Sequence, residues 1–259
     1  MPETFVRSTD YSRQFFGVFS LLALGVFSWP LVAGSGLLEV GFALTLSLVA
    51  LPVVAVLLSL AADSSLRSVN TLALVGVLAG VAALARVLST GFGGFELVFV
   101  VVILAGRALG ARQGFVVGVL AIALSSLVWG GFGPWTAYQM VALGWVGLGA
   151  GLLPTSWARK ARSWGRAEMV VLAAYGVVAS YLFGILMNLW FWPLAVGPET
   201  SISLDSGASW GENVASFVLY SLATSTLTWD TVRAITTVVM LLLVGGPALR
   251  ALRRVYSRD

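Results

Sequence analysis

The chain has 259 residues, of which 59% are hydrophobic and 10% charged, with a formal net charge of +4. A soluble domain carries about 25% charged residues, so this composition, with a mean hydropathy of +0.96, belongs to a polytopic membrane protein. The absence of cysteine and histidine excludes thiol catalysis, disulfides, Ser-His proteolysis and the usual zinc sites.

Taken in chain order, the apolar runs predict an all-α membrane protein with about eight transmembrane helices. They fall at Phe15–Val32, Leu37–Leu60, Thr71–Leu88, Phe95–Leu109, Phe115–Trp129, Thr136–Leu153, Met169–Phe191 and Thr231–Leu249. Most have the ~17–25 residues a helix needs to cross a bilayer. The fourth and fifth are shorter and need little tilt or sheltering neighbours. The first run is too long for a cleavable signal and is expected to stay as a helix. A further patch, Val214–Leu222, is dotted with serine and threonine and reads either as a ninth span or as a surface helix. Charge decides between them. With eight spans, 13 of the 15 Lys and Arg residues fall on one side, leaving Arg86 and Arg233 on the other. The positive-inside rule then puts both termini in the cytoplasm of a cell-membrane protein. The basic loops are expected to meet anionic lipid headgroups, and nothing suggests nucleic acid.

Motor chemistry is missing. No Gly-x-x-x-x-Gly-Lys-Ser/Thr loop is present, so ATP hydrolysis by that route is excluded. The only lysine, Lys160, lies in a basic loop and cannot serve a buried Ser-Lys dyad. Glu39, Glu96, Glu168 and Asp230 all sit at predicted span ends, which disfavours an autonomous ion-coupled carrier. No enzyme activity and no cofactor or metal is expected.

Polar and aromatic residues gather in three connections on the outer side. The first holds Arg86, Phe92 and Glu96; the second Trp129, Phe132, Trp135, Tyr138 and Gln139; the third Asn188, Trp190 and Trp192. Interfacial belts and turns account for single rings and glycines. Yet seven of the ten tryptophans fall on this side, and rings with a few convergent polar groups make a small-molecule pocket. Arg86 reads as a ligand contact, as a partner of Glu96, or as a snorkelling side chain. Gln139 and Asn188 read equally as ligand contacts or as interhelical bonds. In the third span, Gly76 and Gly80, like Ala79 and Ala83, are four apart, a spacing for close helix approach. They would serve internal packing or the docking of a separate membrane subunit.

These residues carry a resemblance. Gly91-Phe92-Gly93-Gly94-Phe95-Glu96, Gly106-Arg107-Ala108-Leu109-Gly110, Gly133-Pro134-Trp135-Thr136-Ala137-Tyr138-Gln139-Met140 and Gly147-Leu148-Gly149-Ala150-Gly151-Leu152-Leu153-Pro154 are similar to the substrate-binding S components of energy-coupling factor transporters, over about residues 70 to 250. The Gly-Pro-Trp run looks like the cobalamin-type branch. The resemblance implies a six-helix core at 69–259 preceded by a two-helix addition at 1–68. It also implies a vitamin-like substrate, with a transmembrane coupling subunit and two cytosolic ATPases as partners. Ala79 and Ala83 would match the family's Ala-x-x-x-Ala docking signature, nearer mid-span than usual. The competing readings are a stand-alone carrier or channel and a ligand-free membrane scaffold.

Overall fold

The computed structural model describes residues 3–34, 39–63, 69–89, 91–154, 164–197 and 200–256. Every regular element among them is helical. In chain order these are α1 (Glu3–Phe27), α2 (Trp29–Gly34), α3 (Val40–Asp63), α4 (Val69–Ser89), α5 (Val98–Leu109), α6 (Ala111–Val128), α7 (Pro134–Leu152), α8 (Trp164–Ala195) and α9 (Trp210–Ser221). A π-helical stretch (Leu222–Asp230), α10 (Thr231–Met240), a second π-helical stretch (Leu241–Gly245) and α11 (Gly246–Tyr256) complete the chain. Four helical runs among the described residues are long and apolar enough to cross a membrane: Val69–Ser89, Ala111–Val128, Gly165–Ala195 and Trp210–Tyr256. They are compatible with a multi-pass membrane protein.

The last run resolves a stretch the sequence leaves open. Residues 210–230, an outer connection whose patch Val214–Leu222 reads as a surface helix or a ninth span, continue without a break into α10 and α11. The start is well specified. Ser209 Oγ accepts from the Glu212 amide at 3.3 Å, and the Glu212 carboxylate accepts from the Ser209 amide at 2.7 Å. This reciprocal cap needs Ser-x-x-Glu, and Ser209-Trp210-Gly211-Glu212 supplies it. The fourth predicted span is also shorter than its apolar run. Phe95, Glu96 and Leu97 stay outside α5, because the preceding glycine turn consumes them. At 12 residues, α5 is about 18 Å long.

The chain forms two compact units. One comprises Met1–Ser64 and Ile185–Thr226, the other Ser65–Gly184 and Leu227–Asp259. Ile185–Thr226 thus group with the N-terminal helices. In that first unit α1, α2 and α3 pack together. Trp192 is fully buried and its indole donates to the Ile202 carbonyl at 2.6 Å. The Trp29 indole donates to the Trp190 carbonyl at 3.2 Å. Asn188 donates to Ser221 Oγ at 2.8 Å and Ser225 Oγ at 2.6 Å.

The second unit is built on α4, α5, α6 and α7, packed against one another with α10 and α11 against α5. Its core includes Phe99, Ile103, Phe115, Ile122, Tyr138 and Leu143, each at most 2% exposed. At one end of α5, Arg107 Nε donates to Glu168 Oε1 at 2.7 Å, and Arg253 donates to both Glu168 oxygens at 2.7 and 2.9 Å. One carboxylate thus ties α5, the start of α8 and α11. The opposite, N-terminal end of α5 carries the cavity described next.

The small residues of α4 divide between two faces. Ala79 and Ala83 are buried within this unit, where α4 packs on α5 and α6. Gly76 and Gly80 are exposed, with nothing within 4 Å of an added methyl. Four-residue spacing specifies close approach but not the partner, and for the alanines the partner is this bundle itself.

Candidate functional site

The α4–α5 connection reads Gly91-Phe92-Gly93-Gly94-Phe95-Glu96-Leu97. Its backbone has φ of 92° at Gly91, 53° at Gly93 and 91° at Gly94. L side chains rarely adopt such values, so glycine is what permits this tight fold. Gly94 is doubly constrained: a methyl there would stand 2.8 Å from Trp229 Cα and overlap the Trp229 carbonyl. The end of the first π-helical stretch therefore lies directly against the turn. We expect Gly94→Ala to lower stability by more than the ~1–2 kcal/mol of a left-handed alanine. Gly93→Ala, with open space around it, should cost only about that amount; equal melting shifts for the two would contradict the contact with Trp229.

Around this turn is an open cavity of about 160 Å³. Arg86, Ser89, Glu96 and Gln139 contribute its polar wall, and Phe92, Phe95, Phe99, Phe183 and Trp229 its aromatic wall. Arg86, in the last turn of α4, donates to Ser125 Oγ of α6 at 2.9 Å and to Gln139 Oε1 of α7 at 3.0 Å. Two bonds to two helices fix the guanidinium at the cavity edge. Ser125 is itself fully buried, so Arg86 reaches into the bundle rather than out toward an interface.

Glu96 is held from behind. Arg233 Nη2 donates to Glu96 Oε1 at 2.9 Å and Nη1 to Asp230 Oδ1 at 2.6 Å. Asp230 and Arg233 are three apart, the spacing that puts two helical side chains on one face. The Arg233 guanidinium lies 5.3 Å from the Phe99 ring centroid and 5.1 Å from that of Phe183. Those rings meet edge-on at 5.2 Å. A planar cation packed beside two aromatic rings gains cation–π attraction, and its two carboxylate partners leave one negative charge over, which Arg86 offsets across the cavity.

Of the residues expected from sequence, Arg86, Phe92, Glu96 and Gln139 line this cavity. The others are elsewhere. Trp129 and Phe132 are exposed on the α6–α7 turn. The Trp135 indole folds back over the Gly133 backbone, where a methyl on Gly133 would meet the ring. It caps its own turn, with Pro134 as the first helical residue and the Gly133 amide donating to Thr136 Oγ1 at 2.9 Å. Tyr138 is fully buried in the core, because α7 turns that face inward against α5 and α6. Asn188, Trp190 and Trp192 belong to the other compact unit, where the bonds given above engage them.

Four participants are not among the pocket residues expected from sequence: Trp229 and Asp230, which the sequence places only at the end of the third outer connection, together with Arg233 and Phe183. Arg233 had one available signal, as the second basic residue on the outer side of the charge count. Its pairing with Glu96 spans 137 residues, and no local periodicity reports such a contact.

No protein-family model, curated protein or solved structure matches the chain.

Proposed function

We propose that this chain is a membrane-embedded, substrate-binding subunit of an energy-coupling factor importer, taking up a small micronutrient from outside. The observation that carries the reading is the cavity at Arg86, Glu96 and Gln139: charges of both signs and aromatic walls at one end of an apolar bundle. Pockets of this make-up bind small molecules, usually with volumes of about 300–1,000 Å³. At about 160 Å³ the cavity suits a compact ligand better than a corrinoid, so the cobalamin-type substrate has less support than the importer class. The sequence lacks a phosphate loop, which suits a subunit whose ATP is hydrolysed by partners. Those partners would be a transmembrane coupling subunit and two cytosolic ATPases. Eight spans with cytoplasmic termini remain the arrangement favoured by the charge distribution. The exposed Gly76–Gly80 face of α4 then suits the coupling subunit better than the buried Ala79 and Ala83.

A stand-alone carrier has one observation in its favour. Asp230, read from sequence as a span end, is 1% exposed within an unbroken helical run, and buried carboxylates mark ion pathways in carriers. Reconstitution separates the two. Vesicles holding the chain alone should bind solutes without accumulating them, and accumulation should appear only with the coupling subunit and ATPases plus ATP. Uptake by the chain alone, driven by a proton or sodium gradient, would establish the carrier.

A further inference from the structure

The charges around the cavity cancel. Arg86 and Glu96 line it; Asp230 and Arg233 stand behind Glu96. Two guanidiniums and two carboxylates sum to zero. A ligand carrying one net charge would bring an uncompensated charge beside this balanced, partly buried cluster, which is costly. A neutral ligand without ionised groups would complement neither Arg86 nor Glu96 fully, since hydrogen bonds to ionised partners are about twice as strong as neutral ones. Both penalties vanish for a molecule carrying one charge of each sign.

The two groups are also differently accessible from their neighbours. Arg233 and Asp230 have side chains 7% and 1% exposed, while Glu96 remains 28% exposed. Arg86 is anchored by Ser125 and Gln139 rather than sealed beneath them. One cation and one anion therefore face the space, each held by a rigid support. Five aromatic rings make up much of the remaining wall. At about 10–15 Å³ to hold one water, a cavity of about 160 Å³ takes on the order of ten, room for a molecule of amino-acid size.

We propose that the cavity binds a small zwitterion of amino-acid dimensions, with its carboxylate at Arg86, its ammonium at Glu96 and its apolar body among the rings. This rests on the reading of the cavity as the substrate site and names the class of that substrate.

Calorimetric titration of the detergent-solubilised full chain tests it. The probes are leucine with its deaminated acid (isocaproate) and its decarboxylated amine (isoamylamine), and phenylalanine with hydrocinnamate and phenethylamine. At least one amino acid should bind roughly tenfold or more tightly than both of its singly charged analogues, as a lost bond to a charged group requires. Arg86→Gln should reduce its affinity to that of the amine, and Glu96→Gln to that of the acid. Thermal unfolding recorded in parallel identifies a variant that has lost its fold, in which case the wild-type series decides alone. An acid or amine that binds as well as its amino acid overturns the proposal, as does the failure of all six to bind. The importer reading fails separately. Partner-dependent uptake of some other solute would leave it standing without the zwitterion, and zwitterion binding with gradient-driven uptake by the chain alone would do the reverse.

Discussion

Arg233→Ala is expected to be among the most damaging single substitutions in the protein, with a loss of roughly 3–5 kcal/mol, the cost of breaking a buried ion pair from one side. The reason lies in what would remain. Asp230 is 1% exposed and Glu96 is mostly covered; without the guanidinium both carboxylates lose their nearest cation. Phe99 and Phe183 would also face an empty slot where a planar group now lies. Arg233→Lys keeps the charge but supplies neither the flat group nor the fork that reaches two carboxylates, so an intermediate loss is expected. The combination Arg233→Met, Asp230→Asn and Glu96→Gln removes all three charges together. It should recover much of the loss, because a neutral replacement of a buried ionic cluster is often tolerated. Unfolding of the detergent-solubilised variants by heat or denaturant measures each step. If the triple variant is less stable than Arg233→Ala alone, then uncompensated charge is not what the single substitution introduces.

The second large effect is expected at Gly147. In α7 it faces Gly114 of α6 so closely that a methyl would overlap the Gly114 backbone, and a methyl on Gly106 of α5 would likewise overlap Gly147. Three helices meet at backbone distance here, as small residues allow. Backbone atoms cannot swing aside as a long side chain can, so the helices themselves must separate. Intrinsic preference favours alanine over glycine in a helix by about 1 kcal/mol, yet Gly147→Ala should destabilise by about 1–3 kcal/mol, the usual cost of overpacking. Gly147→Leu should prevent assembly of the α5–α6–α7 group. Gly76→Ala provides the contrast: with open space around it, it should be neutral or stabilising by up to about 1 kcal/mol. A Gly147→Ala protein that melts no lower than the Gly76→Ala protein would show that the helices separate at negligible cost.

Much of the helical framework was legible because it depends on local properties. Apolar runs and glycine turns located α4, α6 and α8 to within a few residues. The glycine turn and its two flanking charges, Arg86 and Glu96, stood out as polar groups beside long apolar stretches, and both line the cavity. Gln139 was legible for the same reason. Of the rings expected from sequence only Phe92 lines the cavity, because an aromatic residue near a turn carries no mark of which way the turn sends it. Trp135 folds over its own glycine, while Trp229, near a helical end expected to be a loop, reaches the cavity. The serine- and threonine-dotted patch Val214–Leu222 marks no helix that reaches Trp229, yet the structure forms Leu222–Asp230 as wider helical turns that continue the preceding helix.

The Glu96–Arg233 pair has a consequence for synthesis on the ribosome. Glu96 is made 137 residues before its partner. At about 5–20 residues per second, it waits roughly 7–27 s. Throughout that interval the glycine turn lacks the Trp229 backbone beside Gly94, and Phe183, once made, still waits with Phe99 for the Arg233 guanidinium. The nascent site therefore cannot close early: its charge balance and its aromatic wall are completed by the same late stretch, Trp229 to Arg233.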